Sequence, residues 1–108
     1  EEAAAAAFPA WRDTPAGRRA ALLEAWHDAM MASVEELARI MTLEQGKPLA
    51  EARAEIRYGA GFVKWFAEEA MRIYGDTVHA PGPDRRVLVL KEPVGVCAAI
   101  PPWNFPNS

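Results

Sequence analysis

The sequence is poor in the residues that most often announce a chemistry. Of its 108 residues only Cys97 is a cysteine, so no disulfide can close within the chain. That suits a reducing compartment, and a cytoplasmic location is expected. The two histidines, His27 and His79, lie far apart and form no metal-ligand cluster. Basic residues are not in excess: 12 Lys and Arg stand against 15 Asp and Glu, a net charge of -3. With no basic stripe either, a nucleic-acid surface is excluded. No apolar run reaches the roughly eighteen residues of a membrane helix, and the basic-then-apolar order of a signal peptide is missing. No Gly-x-Gly-x-x-Gly phosphate loop occurs. Gly59 and Gly61 share two of its positions, but they sit in a helical pattern and follow no strand.

What is present is a globular composition, 51% hydrophobic and 25% charged, in a chain long enough for one domain at most. Ala3 to Phe8 has high helix propensity and Pro9 is expected to end it, with Phe8 and Trp11 docking that end. Thr14-Pro15 reads as a cap and first position of a second helix, with Leu22, Leu23, Trp26 and Met30 at three and four spacing. Ser33-Val34-Glu35-Glu36 reads as a capping box that restarts the helix. Leu37, Ile40 and Met41 continue the stripe, and Gly46 closes it as a left-handed cap. Pro48 opens a further helix to about Arg72, with Leu49, Ala52, Ile56, Ala60, Val63, Ala67 and Ala70 as a small-residue face. Gly59 and Gly61 within it suggest close approach of another backbone. The neighbours Glu68 and Glu69 do not face each other on a helix, so they are no acid–base pair.

Beyond Gly75, residues 76–84 read as a loop around Pro81-Gly82-Pro83. Val87 to Leu90 reads as a short strand covered on both faces, and residues 94–100 as a second, buried strand that encloses Cys97 as a small hydrophobe. The chain then enters Pro101-Pro102-Trp103-Asn104-Phe105-Pro106, where three prolines forbid both strand and helix. A stiff turn results, carrying Asn104 between two aromatics. Its amide can donate two hydrogen bonds, and a fixed donor at a strand end is what an oxyanion site needs.

Pro102-Trp103-Asn104-Phe105-Pro106 resembles the motif of the aldehyde dehydrogenase superfamily. Glu92-Pro93-Val94-Gly95-Val96 resembles the segment that leads into it. Thr42-Leu43-Glu44-Gln45-Gly46-Lys47-Pro48-Leu49-Ala50-Glu51-Ala52 resembles that family's N-terminal helical region. Phe66-Ala67-Glu68-Glu69-Ala70 and Arg72-Ile73-Tyr74-Gly75-Asp76 are most similar to its succinate-semialdehyde branch.

The resemblance implies an α/β fold: the N-terminal helical segment and first strands of an aldehyde dehydrogenase-like, Rossmann-like domain, incomplete. Residues 1–108 would be the N-terminal part of the NAD(P)-binding domain, with residues 76–93 contributing to an oligomerisation sheet and the catalytic domain absent. The chain thus reads as a fragment, inactive alone, of a dehydrogenase oxidising a small aldehyde. Succinate semialdehyde is the expected substrate, NAD or NADP the cofactor, and a homodimer or homotetramer the assembly. In this family a cysteine thiolate adds to the aldehyde, hydride passes to the nicotinamide, and a glutamate-activated water releases the acid. The family's oxyanion asparagine falls on Asn104. Its cofactor-flanking backbone falls on Ile100, Pro101, Pro102 and Trp103, and Phe105 falls near the aldehyde tunnel. The nucleophilic cysteine, the general-base glutamate and the ribose-binding lysine match nothing here. Cys97 does not correspond to the nucleophile. Position 101 is Pro where the semialdehyde branch commonly has Thr, so a carbonyl contact survives there and a hydroxyl contact does not. The competing readings are a branch acting on glutarate semialdehyde, lactaldehyde or betaine aldehyde, and a non-catalytic interaction module of helices and a β ribbon.

Overall fold

The helices are delimited by backbone chemistry. Gly46 takes a left-handed φ of 79° and its N–H closes on the Thr42 carbonyl, ending one helix, and Pro48 caps the start of the next. In the computed structural model, which describes residues 1–108, these bounds give α1 (Glu2–Arg12), α2 (Ala16–Ala32), α3 (Val34–Gln45) and α4 (Leu49–Glu69). A 3₁₀ turn, Ala70–Arg72, completes α4. Strands β1 (Asp76–Val78) and β2 (Val87–Val89) follow, so the order is that of an α/β chain with its helices first. Two compact units divide it: Pro15–Met71 with Ala98–Ser108, and Glu1–Thr14 with Arg72–Cys97.

In the first unit α4 packs against both α2 and α3. The expected small-residue face is the one used: Ala52, Ile56, Ala60, Ala67 and Ala70 are buried, and Val34, Ala38 and Met41 of α3 meet Ala52 and Ile56. Alanines at the contact let backbones approach closely. Ion pairs brace the outside. Arg53 forks onto Glu35 at 2.8 to 3.0 Å, joining α4 to α3, and Lys64 reaches Glu24 at 2.9 Å, joining α4 to α2.

On α2 the buried stripe differs from expectation. Leu22 and Trp26 are exposed, while Ala16, Ala20, Leu23 and His27 are half-buried and Met30 is buried. This stripe also runs at three and four spacing and keeps Leu23 and Met30 of the expected set, with Ala16, Ala20 and His27 in place of Leu22 and Trp26. The small face of α4 selects the flatter side of α2. The break at Ser33 is real, but no capping box forms. Ser33 makes no side-chain cap bond, and its N–H, which the box would give to Glu36, returns to the carbonyls of Ala29 and Met30. Thr14 is likewise not the cap of α2. Its hydroxyl donates to the Ala10 carbonyl at 2.8 Å, and Pro15 holds the cap position.

In the second unit Pro9 lies inside α1 instead of ending it. Proline removes one hydrogen bond from the preceding turn, but its own carbonyl still accepts from the Asp13 N–H at 3.2 Å. Phe8 is half-buried, whereas Trp11 stays exposed. The region read as a loop contributes β1, which pairs antiparallel with β2 in the register Asp76 to Val89, Thr77 to Leu88 and Val78 to Val87. Gly75 is required beside it, because a Cβ there would strike the Val89 carbonyl. All six strand residues are exposed. Residues 94–100 form no strand: they pair with nothing, Val94 is 93% and Ile100 97% exposed, and Cys97 is exposed rather than buried. An apolar run states a need for burial, and a strand exists only against a partner edge.

Two outcomes follow from the packing of α3 on α4. Ile56→Ala should lower the unfolding free energy by about 2–5 kcal/mol, read by chemical denaturation. The hydrogen bonds from Arg53, more than its charge, hold the Glu35 carboxyl below the usual carboxylate range. A depressed folded-state value contributes stability above the unfolded value, about pH 4.3 for glutamate, and loses it as pH falls through the folded value. Glu35→Gln should therefore lower the neutral plateau of the stability–pH curve slightly and flatten its acid limb below about pH 4.3 by the same small amount, so that variant and parent converge in acid.

Candidate active site

The proline-rich segment folds as two successive turns. The Phe105 N–H donates to the Pro102 carbonyl at 3.1 Å, placing Trp103 and Asn104 at the corners of the first. The Ser108 N–H reaches the Phe105 carbonyl at 3.5 Å in the second. Pro106 there takes the first corner, where its fixed φ is an advantage.

Side chains from the α3–α4 connection hold this double turn. Gln45 Nε2 donates to the Trp103 carbonyl at 3.2 Å. Lys47 Nζ donates to the Asn104 carbonyl at 2.6 Å, lies 4.1 Å from the centre of the Phe105 ring, and pairs with Glu55 Oε2. That ion pair is enclosed, with side-chain exposures of 9% for Lys47 and 2% for Glu55. The other Glu55 oxygen accepts from the Asn107 N–H at 2.9 Å, and Asn107 Nδ2 donates to the Glu55 backbone carbonyl at 3.3 Å. Gly59, one turn further along α4, is buried under Asn107, and a Cβ there would collide with its side chain and carbonyl. Here the close approach expected of the glycines is found. At Gly61 nothing lies within 4 Å.

The structure brings Asn104 and Phe105 together with Lys47 around a recess of about 330 Å³ that also involves Gln45 and Glu51. A second recess of about 450 Å³ lies between Phe105, Ala54 and Tyr58. Asn104 is exposed, and its carboxamide makes no hydrogen bond within the chain, so both N–H groups are available. Ile100, Pro101, Pro102 and Trp103 form an exposed strip leading into the turn. His27 is bound to Asp28 at 2.9 Å, away from the turn in sequence, and no group of His, Cys, Asp or Glu could hold a metal ion. Sequence reasoning missed Gln45, Lys47, Glu55 and Asn107. One signal was available: Glu55 falls on the apolar face of α4, three residues after Ala52 and four before Gly59, where a solvated acid does not belong.

Two substitutions separate the glycines. Gly59→Ala should destabilise by about 1–3 kcal/mol, because the turn must lift from α4. Gly61→Ala, with open space and helical geometry, should stabilise by about 0.5–1 kcal/mol. Urea denaturation of the two variants reads both.

Comparison with known proteins covers the whole sequence. The aldehyde dehydrogenase family profile matches residues 1–108. A glutarate-semialdehyde dehydrogenase of Pseudomonas aeruginosa is 57% identical over 107 residues, 99% of this chain and 22% of that protein. A succinate-semialdehyde dehydrogenase [NADP(+)] of Escherichia coli is 57% identical over 105 residues, 97% of this chain and 22% of that protein. The crystal structure of a succinate-semialdehyde dehydrogenase from Burkholderia pseudomallei superimposes with a TM-score of 0.92 at 56% identity, over 97% of this chain and 22% of that one. The chain thus spans about one fifth of the length of the curated relatives it matches.

Proposed function

The chain belongs to the aldehyde dehydrogenase family, and from that premise we propose that its protein oxidises succinate semialdehyde to the carboxylate with NAD(P)+. The observation that carries this reading is the free carboxamide of Asn104 on a turn held at both ends. Attack of a nucleophile on an aldehyde moves charge onto the carbonyl oxygen. An amide N–H aimed at that oxygen strengthens as the charge develops, and a donor held beforehand has no reorganisation to make. Asn104 is that donor. Phe105 borders the aldehyde.

The dinucleotide supplies the hydride acceptor when bound. In the strip at Ile100, Pro101, Pro102 and Trp103, the first two carbonyls fit it as acceptors. Two of the four residues have no N–H, and no hydrogen bond within the chain engages the carbonyls of Ile100 and Pro101. Carbonyl acceptors suit ribose hydroxyls and a carboxamide NH₂. The nucleophile, the general base and the ribose-binding lysine match no residue here, so the activity is assigned to a polypeptide that carries them together with this chain. The 108 residues alone should turn over nothing. In that polypeptide residues 76–93, with the exposed hairpin of β1 and β2, contribute to the sheet of a homodimer or homotetramer.

Glutarate semialdehyde is the second reading, favoured by the equal 57% identity of the two semialdehyde dehydrogenases. Rates on a panel of semialdehydes of different chain length separate the two. Asn104→Ala in the whole enzyme should lower turnover by roughly 100–1000-fold with NAD(P) affinity nearly unchanged. Asn104→Asp should fail as well, since a carboxylate repels the oxyanion. Hydride transfer by N104A at the parent rate, with only thermal stability lost, would make Asn104 a structural residue instead.

A further inference from the structure

We propose that Lys47 is a positioning residue for the reaction, acting through the backbone of Asn104 and anchored by Glu55. This rests on the assignment of Asn104 as the oxyanion donor. An ammonium has three N–H groups, and two of those of Lys47 are engaged. One direction is taken by Glu55 Oε2, one by the Asn104 carbonyl at 2.6 Å, and the Phe105 ring lies 4.1 Å away. Glu55 passes the restraint on through its second oxygen, 2.9 Å from the Asn107 N–H. A single ion pair therefore ties both halves of the double turn to α4. One of its bonds falls on the residue whose side chain is the donor.

Stability alone gives no reason for a charged pair at this place. An enclosed ion pair is often no more stabilising than apolar residues of the same volume. An apolar pair, however, cannot hold the Asn104 carbonyl by a directed bond. Lys47 does, and so limits rotation of the peptide unit adjoining the Asn104 side chain. Displacing a reacting group by about 1 Å can cost on the order of 100-fold in rate.

The test is single-turnover hydride transfer, followed by reduced-nicotinamide absorbance, in the whole enzyme that carries this chain. The variants are N104A, K47M/E55Q and the three together. K47M/E55Q keeps the side-chain volumes and leaves no unpaired charge. It should be slower by about 10–100-fold, with NAD(P) affinity within about twofold of the parent. Added to N104A it should cost nothing further, because groups that act as a unit are non-additive. A parent rate in K47M/E55Q while N104A is slow overturns the role of Lys47 and leaves that of Asn104 standing. Losses that multiply in the triple variant also overturn it, since Lys47 would then act independently. A parent rate in N104A removes the Asn104 assignment and this proposal with it. If K47M/E55Q does not fold, E55Q alone must show the same ordering with a smaller loss, and a parent rate there overturns the proposal.

Discussion

The enclosed ion pair between Lys47 and Glu55 is the constraint on which the Pro15–Met71 and Ala98–Ser108 unit turns. Two charges taken from water must be satisfied by each other and by further polar groups. Here the further groups are the Asn104 carbonyl and the Asn107 N–H, both on the proline-rich turn. The turn is therefore part of the solvation of the pair. Lifting it would leave a buried carboxylate short of a donor and a buried ammonium short of an acceptor. Local order in residues 102–108 thus draws on the stability of a helix pair more than fifty positions earlier in sequence.

Small residues make that arrangement possible. Ala52, Gly59, Ala60, Ala67 and Ala70 keep one side of α4 thin enough for α2, α3 and the turn to approach its backbone. The opposite choice is made elsewhere on the helix, where Tyr58 and Phe62 meet edge to face at 4.9 Å, with Trp65 and Phe66 nearby, around an apolar recess of about 490 Å³. Bulk is excluded where directional bonds must form and collected where they do not. The same selection explains α2: it turns Ala20 and His27 towards the packed side and leaves Trp26 outside.

Several features set by one residue's own backbone were legible in sequence, although Pro9, expected to end α1, lies within it. Gly46 ends α3, Pro48 starts α4, and the prolines at 102 and 106 frame the turn. The α4 face was legible too, because its small residues recur at helical spacing. Features that depend on a partner were not. Residues 94–100 carry the apolar pattern of a buried strand but have no edge to join. The periodicity of α2 was right, and Leu23 and Met30 lie on its packed side, but Leu22 and Trp26 do not, because which edge of a stripe is covered is decided by what packs against it. At the site, the motif pointed to Asn104 but not to what holds it. Glu55 was visible as an acid in an apolar stripe, whereas Lys47 lies in a short connection with no periodicity from which to judge its burial.

The turn also divides its polar groups between holding itself and facing outward. The carbonyls of Pro102, Trp103 and Asn104 each already accept a bond, from the Phe105 N–H, from Gln45 and from Lys47. Those of Ile100 and Pro101 accept none, and the Asn104 carboxamide is also unengaged. Backbone polarity is thus spent on the fold where the chain bends and left open just before the bend. An acceptor strip and a donor side chain lie within five consecutive residues, yet they cannot satisfy one another freely, because proline and the Lys47 tether limit rotation between them. A flexible segment of the same composition could fold its own amide back onto its own carbonyls. Stiffness here keeps complementary groups apart, and groups kept from each other remain available to a ligand.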